Sequence, residues 1–145
     1  MIQSGILRRY ARVIVSACVL LVAGAGCAAV ETAVSAEPGS SFTLAPGETA
    51  LVRGTDTRIT FRQMREDSRC PVDVTCVWEG DAKIEIVISR AGAADDTRIL
   101  SIRPANNEVR TANLRLRFVS LAPVPRQADA GTPRKYRAEF VVDQL

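Results

Sequence analysis

From Phe42 onward, apolar and polar residues alternate with a period of two, the pattern of strands buried on one face. Asp81 to Arg90 is the clearest case: Ala82, Ile84, Ile86 and Ile88 share one side, and Lys83, Glu85, Val87 and Ser89 share the other. Ile59 and Phe61 alternate with Arg58, Thr60 and Arg62. Met64 then falls out of phase, which predicts a β-bulge near Gln63. Leu114, Leu116 and Phe118 line a further strand, and Tyr136, Ala138, Phe140 and Val142 line the last. Shorter strands are expected at Phe42–Leu44, Thr49–Arg53 and Thr97–Arg103, the last with Leu100 and Ile102 inward. Ala45-Pro46-Gly47-Glu48, Gly54-Thr55-Asp56, residues 91–96, residues 104–107 and Gln127–Pro133 read as turns or loops, and Pro123 and Pro125 as a strand terminator. No stretch has the periodicity of an amphipathic helix. The expectation is an all-β domain, a small antiparallel β-sandwich of seven to eight strands, with a small β-barrel as the alternative.

The first residues follow a different rule. Arg8, Arg9 and Arg12 precede the uncharged apolar run Val13 to Ala25, and no acidic residue occurs before Glu31. A basic start, an apolar middle and small residues behind it form an export signal. Gly24-Ala25-Gly26-Cys27 is similar to the lipobox of bacterial lipoproteins, with Gly24 standing where Leu is usual. On this reading residues 1–26 are a signal peptide. The Cys27 thiol takes a covalent lipid, and more than one acyl chain gives durable anchoring at roughly 0.8 kcal/mol per buried methylene. Three alternatives use the same stretch: a lipobox-like Val15-Ser16-Ala17 before Cys18, cleavage after Ala36 to release a soluble secreted protein, and an uncleaved anchor from Val13 to Val30. Residues 27–41, rich in Ala, Ser, Gly and Glu, read as a flexible tether, which leaves residues 42–145 for the β domain. The expected location is the cell envelope, facing the periplasm or the exterior.

Charge and cysteine content sharpen this picture. The chain carries 19 basic and 16 acidic residues. The whole excess lies in the signal, so the remainder is balanced and offers no electrostatic case for nucleic acid. Cys18 falls in the signal and Cys27 takes the lipid, leaving Cys70 and Cys76 as a pair in an oxidising compartment. They are expected to form a disulfide. The spacing is not the Cys-x-x-Cys of redox pairs, and the chain has no His to complete a zinc site.

Around that pair, Asp67-Ser68-Arg69-Cys70-Pro71 is followed by four residues and then Cys76-Val77-Trp78-Glu79-Gly80. This segment resembles a motif of an uncharacterised family of small bacterial lipoproteins and periplasmic proteins. Later stretches of that family are similar to Phe118-Val119-Ser120-Leu121-Ala122-Pro123 and to Tyr136-Arg137-Ala138-Glu139-Phe140. The resemblance spans about residues 42–142. It implies a β-rich envelope domain and brings no known activity, cofactor or catalytic residue.

The residues themselves suggest more. Trp78, the only tryptophan, follows Cys76 by two positions and is expected to pack with it in the core, as Trp and disulfide do in many sandwiches. Stacking on a ligand is its alternative role. Gly80 suits a turn or bulge, Asp67 and Ser68 suit turn hydrogen bonds, and Arg69 has Asp67 or Asp73 within reach. Arg58, Arg62, Arg115, Arg117 and Arg137 read as solvated strand faces.

Without His, Ser-His-Asp and Cys-His mechanisms are excluded. Carboxylates at Glu66, Asp67, Asp73, Glu79 and Asp81 crowd the cysteine segment. They leave two minor readings: a Ca²⁺-stabilised domain using Asp67, Asp73, Glu79 and Asp81, and a hydrolase using a carboxylate pair. The leading expectation is a non-enzymatic binding or accessory module of the envelope. Its partners would be the membrane, through the lipid, and an envelope protein or glycan met through an exposed face or loop such as Gln127–Pro133.

Overall fold

A computed structural model describes residues 33–145. The expected signal, Cys18, Cys27 and the first part of the expected tether lie outside the described residues. The described chain forms nine strands: β1 (Val34–Ala36), β2 (Ser41–Leu44), β3 (Thr49–Val52), β4 (Arg58–Asp67), β5 (Ala82–Ser89), β6 (Asp96–Ser101), β7 (Glu108–Arg110), β8 (Leu114–Ala122) and β9 (Arg137–Gln144). They build a five-stranded sheet in the order β1-β3-β4-β5-β6 and a four-stranded sheet in the order β2-β9-β8-β7. Both sheets are open, so the fold is a sandwich and not a closed barrel.

The alternation read from the sequence places the core. Ile59 and Phe61, Ile84, Ile86 and Ile88, Leu114, Leu116 and Phe118, and Ala138, Phe140 and Val142 are all buried. The phenylalanines meet across the sandwich. Phe140 lies 5.7 Å from both Phe42 and Phe118 within its own sheet, and 6.4 Å, edge-on, from Phe61 of the other. Such aromatic contacts contribute beyond the area they bury.

The expected bulge is present between Phe61 and Gln63, and a second one lies between Met64 and Glu66. The bulges carry a consequence for charge. Arg62 and Arg65 each come within 3.4 Å of a carboxylate oxygen of Glu85, which also accepts a hydrogen bond from Gln63. This explains how Glu85 is 9% exposed in the middle of β5.

Two expectations need correction. Residues 34–41 are not tether. At Val34–Ala36, β1 pairs with β3, and that pair is parallel rather than antiparallel. Ala36 is fully buried, and Gly39 N–H donates to Val142 O. Small side chains that look like linker composition here allow a close approach of backbone to the core. The strand count is nine because β1 and β7 are added, each only three residues long.

The ends of the longest strands fix the next region. β4 ends at Asp67 and β5 begins at Ala82, while β8 ends at Ala122 and β9 begins at Arg137. Segments 68–81 and 123–136, one from each sheet, are joined by hydrogen bonds at that end of the domain.

Candidate functional site

The cysteine segment continues the β4–β5 hairpin beyond the sheet. Ser68 N–H donates to Asp81 O at 2.7 Å, and Cys70 N–H donates to Glu79 O at 2.9 Å. Ser68 Oγ reaches both Asp81 O and Asp81 N. The strands come so close at Gly80 that a Cβ there would stand 1.7 Å from Ser68 O, and the backbone has φ +73°. Only glycine meets both conditions. Cys70 and Cys76 then close the tip as a disulfide, with Cα atoms 6.0 Å apart.

The segment is also bound to the other sheet. Asp67 receives a two-pronged contact from Arg69, at 2.8 Å from Nε and 3.0 Å from Nη2. Arg134 Nη1 at 3.0 Å and the Tyr136 hydroxyl at 3.1 Å donate to the same carboxylate. Arg69 meanwhile donates to Leu121 O and Pro123 O. Asp67 and Arg69 are 6% and 13% exposed in their side chains, so this ion pair is shielded from water. Burial pushes the Asp67 carboxyl up, but the hydrogen bonds and charge of Arg69, with the Tyr136 hydroxyl, outweigh it and hold the carboxyl below the ordinary aspartate range. Farther out, Val72 N–H donates to Pro125 O, and Gln127 N–H to the carboxylate of Asp73. The loop Gln127–Pro133 thus begins beside the cysteine segment.

Those contacts account for most of the motif. Three stretches singled out in the sequence, the cysteine segment, residues 118–123 and residues 136–140, are far apart along the chain and meet here, Arg69 reaching the 118–123 stretch and Asp67 reaching Tyr136. Arg69 pairs with Asp67, and Asp73 holds the backbone of Gln127 instead. The disulfide adds a covalent clasp to a loop already hydrogen-bonded. Reduction is expected to lower domain stability by about 2 kcal/mol on the chain-entropy estimate for so short a loop. Thermal melts with and without reductant measure this, and equal midpoints would refute it.

Trp78 departs from expectation. It is 80% exposed and does not pack in the core. The reason is position. The disulfide lies beyond the ends of β4 and β5, outside the buried faces of the sandwich, and Cys76 is itself exposed. Its neighbour Val77 is fully exposed, and Val72 and Val74 of the same loop are exposed too. An apolar tip held in a closed loop is unusual on a solvated surface.

Beside Trp78 lies a cleft of about 330 Å³. Glu66, Asp81, Lys83 and Arg103 supply its charged groups, and Ser68 and Gly80 complete the lining. Lys83 pairs with Glu66 at 2.8 Å, and Arg103 donates through Nε and Nη2 to Gly80 O. Asp81 Oδ1 is taken by Ala82 N–H and the Ser101 hydroxyl. Hydrogen bonds from Lys83, then from Ser68, lower the Glu66 pKa. Lys83 and Arg103 were not among the candidates read from sequence. The outward Lys83 across from the outward Glu66 was the available signal, obscured by the bulges in β4.

The acidic residues of the segment do not converge. Asp67, Asp73 and Asp81 each turn to a different protein partner. Among the described residues no group of three or more His, Cys, Asp or Glu is placed to hold a metal ion. Scans of the chain against protein-family models, curated proteins and solved structures find no match.

Proposed function

We propose that this chain is an exported, lipid-anchored envelope domain that binds a partner through its disulfide loop and performs no chemistry on it. The observation that carries the reading is Trp78, a large aromatic side chain left 80% exposed on a loop held by a disulfide and by hydrogen bonds to both sheets. A rigid loop loses little conformational entropy on binding, and exposed aromatics on rigid supports dominate recognition surfaces. The remaining motif residues have structural work to do: Asp67 and Arg69 fasten the segment, Ser68 and Gly80 pair its two arms, and Cys70 and Cys76 close it.

Two carboxylates, Glu66 and Asp81, border the cleft, so a hydrolase needs consideration. Glycoside hydrolysis requires one carboxyl kept protonated near neutral pH. Here both carboxylates are engaged by protein partners, Glu66 by Lys83 and Asp81 Oδ1 by Ala82 N–H and the Ser101 hydroxyl, which favours binding over turnover. The lipid anchor rests on the N-terminal sequence pattern. The competing cut after Ala36 would remove β1, with its pairing to β3 and its buried Ala36, which favours processing upstream of the fold.

One pair of measurements tests the reading in cells. The intact mass of the membrane-fraction protein is expected to correspond to a chain beginning at Cys27 with its lipid. A photo-crosslinking side chain at Val77 is expected to give adducts that the same group at Thr97, on the exposed edge strand β6, does not. An unmodified N-terminus at Glu37 would overturn the anchor, and matching adduct patterns at the two positions would overturn the loop as the binding surface.

A further inference from the structure

From the cleft beside Trp78 we infer a saccharide subsite, taking a neutral pyranose whose equatorial substituents leave one flat C–H face. The inference rests on the reading of the disulfide loop as a binding surface, and it names the ligand class.

The chemistry of the lining selects this class. The indole offers a broad apolar plane with an N–H donor at its edge, and it is open to solvent. Such a plane stacks well on a ring with a flat C–H face. The cleft's charges cancel, with Glu66 and Asp81 against Lys83 and Arg103. An anion would meet two carboxylates there, and a cation would meet a lysine and an arginine. A purely apolar ligand would strip water from four charged groups without replacing their hydrogen bonds. A sugar hydroxyl both donates and accepts, so it can satisfy either sign.

The groups are also held in place. Arg103 is oriented by its two bonds to Gly80 O, with Nη1 outside that contact. Lys83 and Glu66 fix each other, and Asp81 is fixed through Oδ1, with Oδ2 outside those bonds. A fixed mix of donors and acceptors beside an aromatic plane is what a polyhydroxyl ring requires. The volume of about 330 Å³ lies at the lower end for ligand clefts, about 300–1,000 Å³. That suits one or two rings rather than a long chain. A site so small and open gives a dissociation constant on the order of 1 mM.

Trp78 is the only tryptophan, so its fluorescence reports on this cleft alone. The full chain, in a detergent without a sugar headgroup, is titrated with cellobiose and with N,N′-diacetylchitobiose. Inorganic phosphate and spermine serve as charged controls. A saturable emission change with at least one disaccharide and none with the controls is expected. Ligand-observed NMR then reads the variants. Trp78→Ala is expected to weaken binding about tenfold or more, Trp78→Phe to retain part of it, and Arg103→Gln to weaken it several-fold. Trp78 is exposed, so its replacement leaves the fold intact, which a melt confirms. No response to either sugar, an equal response to the charged controls, or undiminished binding by Trp78→Ala overturns the saccharide subsite. Crosslinking at Val77 that persists in the face of such a negative result would show that the loop binds a different class of partner. Loss of both would remove the binding reading as well.

Discussion

Gly80→Ala is expected to destabilise the domain by at least about 3 kcal/mol, a drop in melting temperature of roughly 10 °C. Two costs add. The backbone at position 80 has φ +73°, where a side chain with Cβ is strained by about 1–2 kcal/mol. The new Cβ would also stand 1.7 Å from Ser68 O, 2.5 Å from Ser68 C and 2.8 Å from the Cα of Arg69. All three are backbone atoms in the paired arms of the hairpin, so no side-chain rotation relieves the contact. The arms must separate, which breaks the bonds between Ser68 and Asp81 and between Cys70 and Glu79. Gly92 supplies the control. It has the same φ of +73° with nothing within 4 Å of its virtual Cβ, so Gly92→Ala carries only the backbone cost. The clash is the difference between the two midpoints. If both variants melt together, the close approach at Gly80 has no energetic weight. Because Gly80 O also orients Arg103, separation of the arms should deform the cleft.

The parts of this fold that the sequence disclosed are those where one face is buried over several consecutive turns of the pleat. The three isoleucines of β5 announce a strand without help from the rest of the chain, and the phase slip at Met64 announces a bulge. Three-residue strands carry no such pattern. In β1 only Ala36 is buried, and in β7 only Val109, so each depends on what lies next to it rather than on its own alternation. β1 is further disguised because its parallel partner β3 lies across an intervening strand of the other sheet.

The site divides in the same way. Arg69 and Asp67 are two residues apart, and their pairing follows from proximity and opposite charge. Arg134 and Tyr136 reach Asp67 across separations of 67 and 69 residues, which no local rule foresees. Only the joint appearance of the three motif stretches hints that they meet. The expected burial of Trp78 against the disulfide presupposes that the disulfide joins two sheets. Here it closes the end of one hairpin, so the indole keeps its position relative to Cys76 and loses its core.

Replacing Asp67 tests whether the far end of the sandwich depends on one shielded carboxylate. Asp67→Ala removes the acceptor of five hydrogen bonds, from the Arg69 backbone N–H, Nε and Nη2, from Arg134 Nη1 and from the Tyr136 hydroxyl. Two guanidinium groups would then face each other without a counter-charge. Removing one partner of a fully buried pair costs about 3–5 kcal/mol; for this partly shielded pair the expected cost is about 2 kcal/mol or more. Arg69 would also lose the contact that aims it at Leu121 O and Pro123 O, so amide exchange should rise across residues 68–81 before the rest of the domain responds.

Acid offers a second test of the same carboxylate. Its folded pKa lies below the ordinary value of 3.8, so the folded state favours the ionised form. The resulting stability is present above the unfolded pKa and is lost as pH falls through the folded one. Asp67→Asn, which keeps the shape and cannot ionise, should therefore be less stable than the wild type at pH 7, with the gap narrowing below about pH 4. Glu66, also held below its usual pKa by Lys83 and Ser68, is unchanged between the two proteins and cancels in the difference. Denaturant midpoints from pH 7 downward read that difference directly. A gap that stays constant across the acid range would mean that the ionised carboxylate contributes nothing, and that shape alone holds the cysteine segment to the opposite sheet.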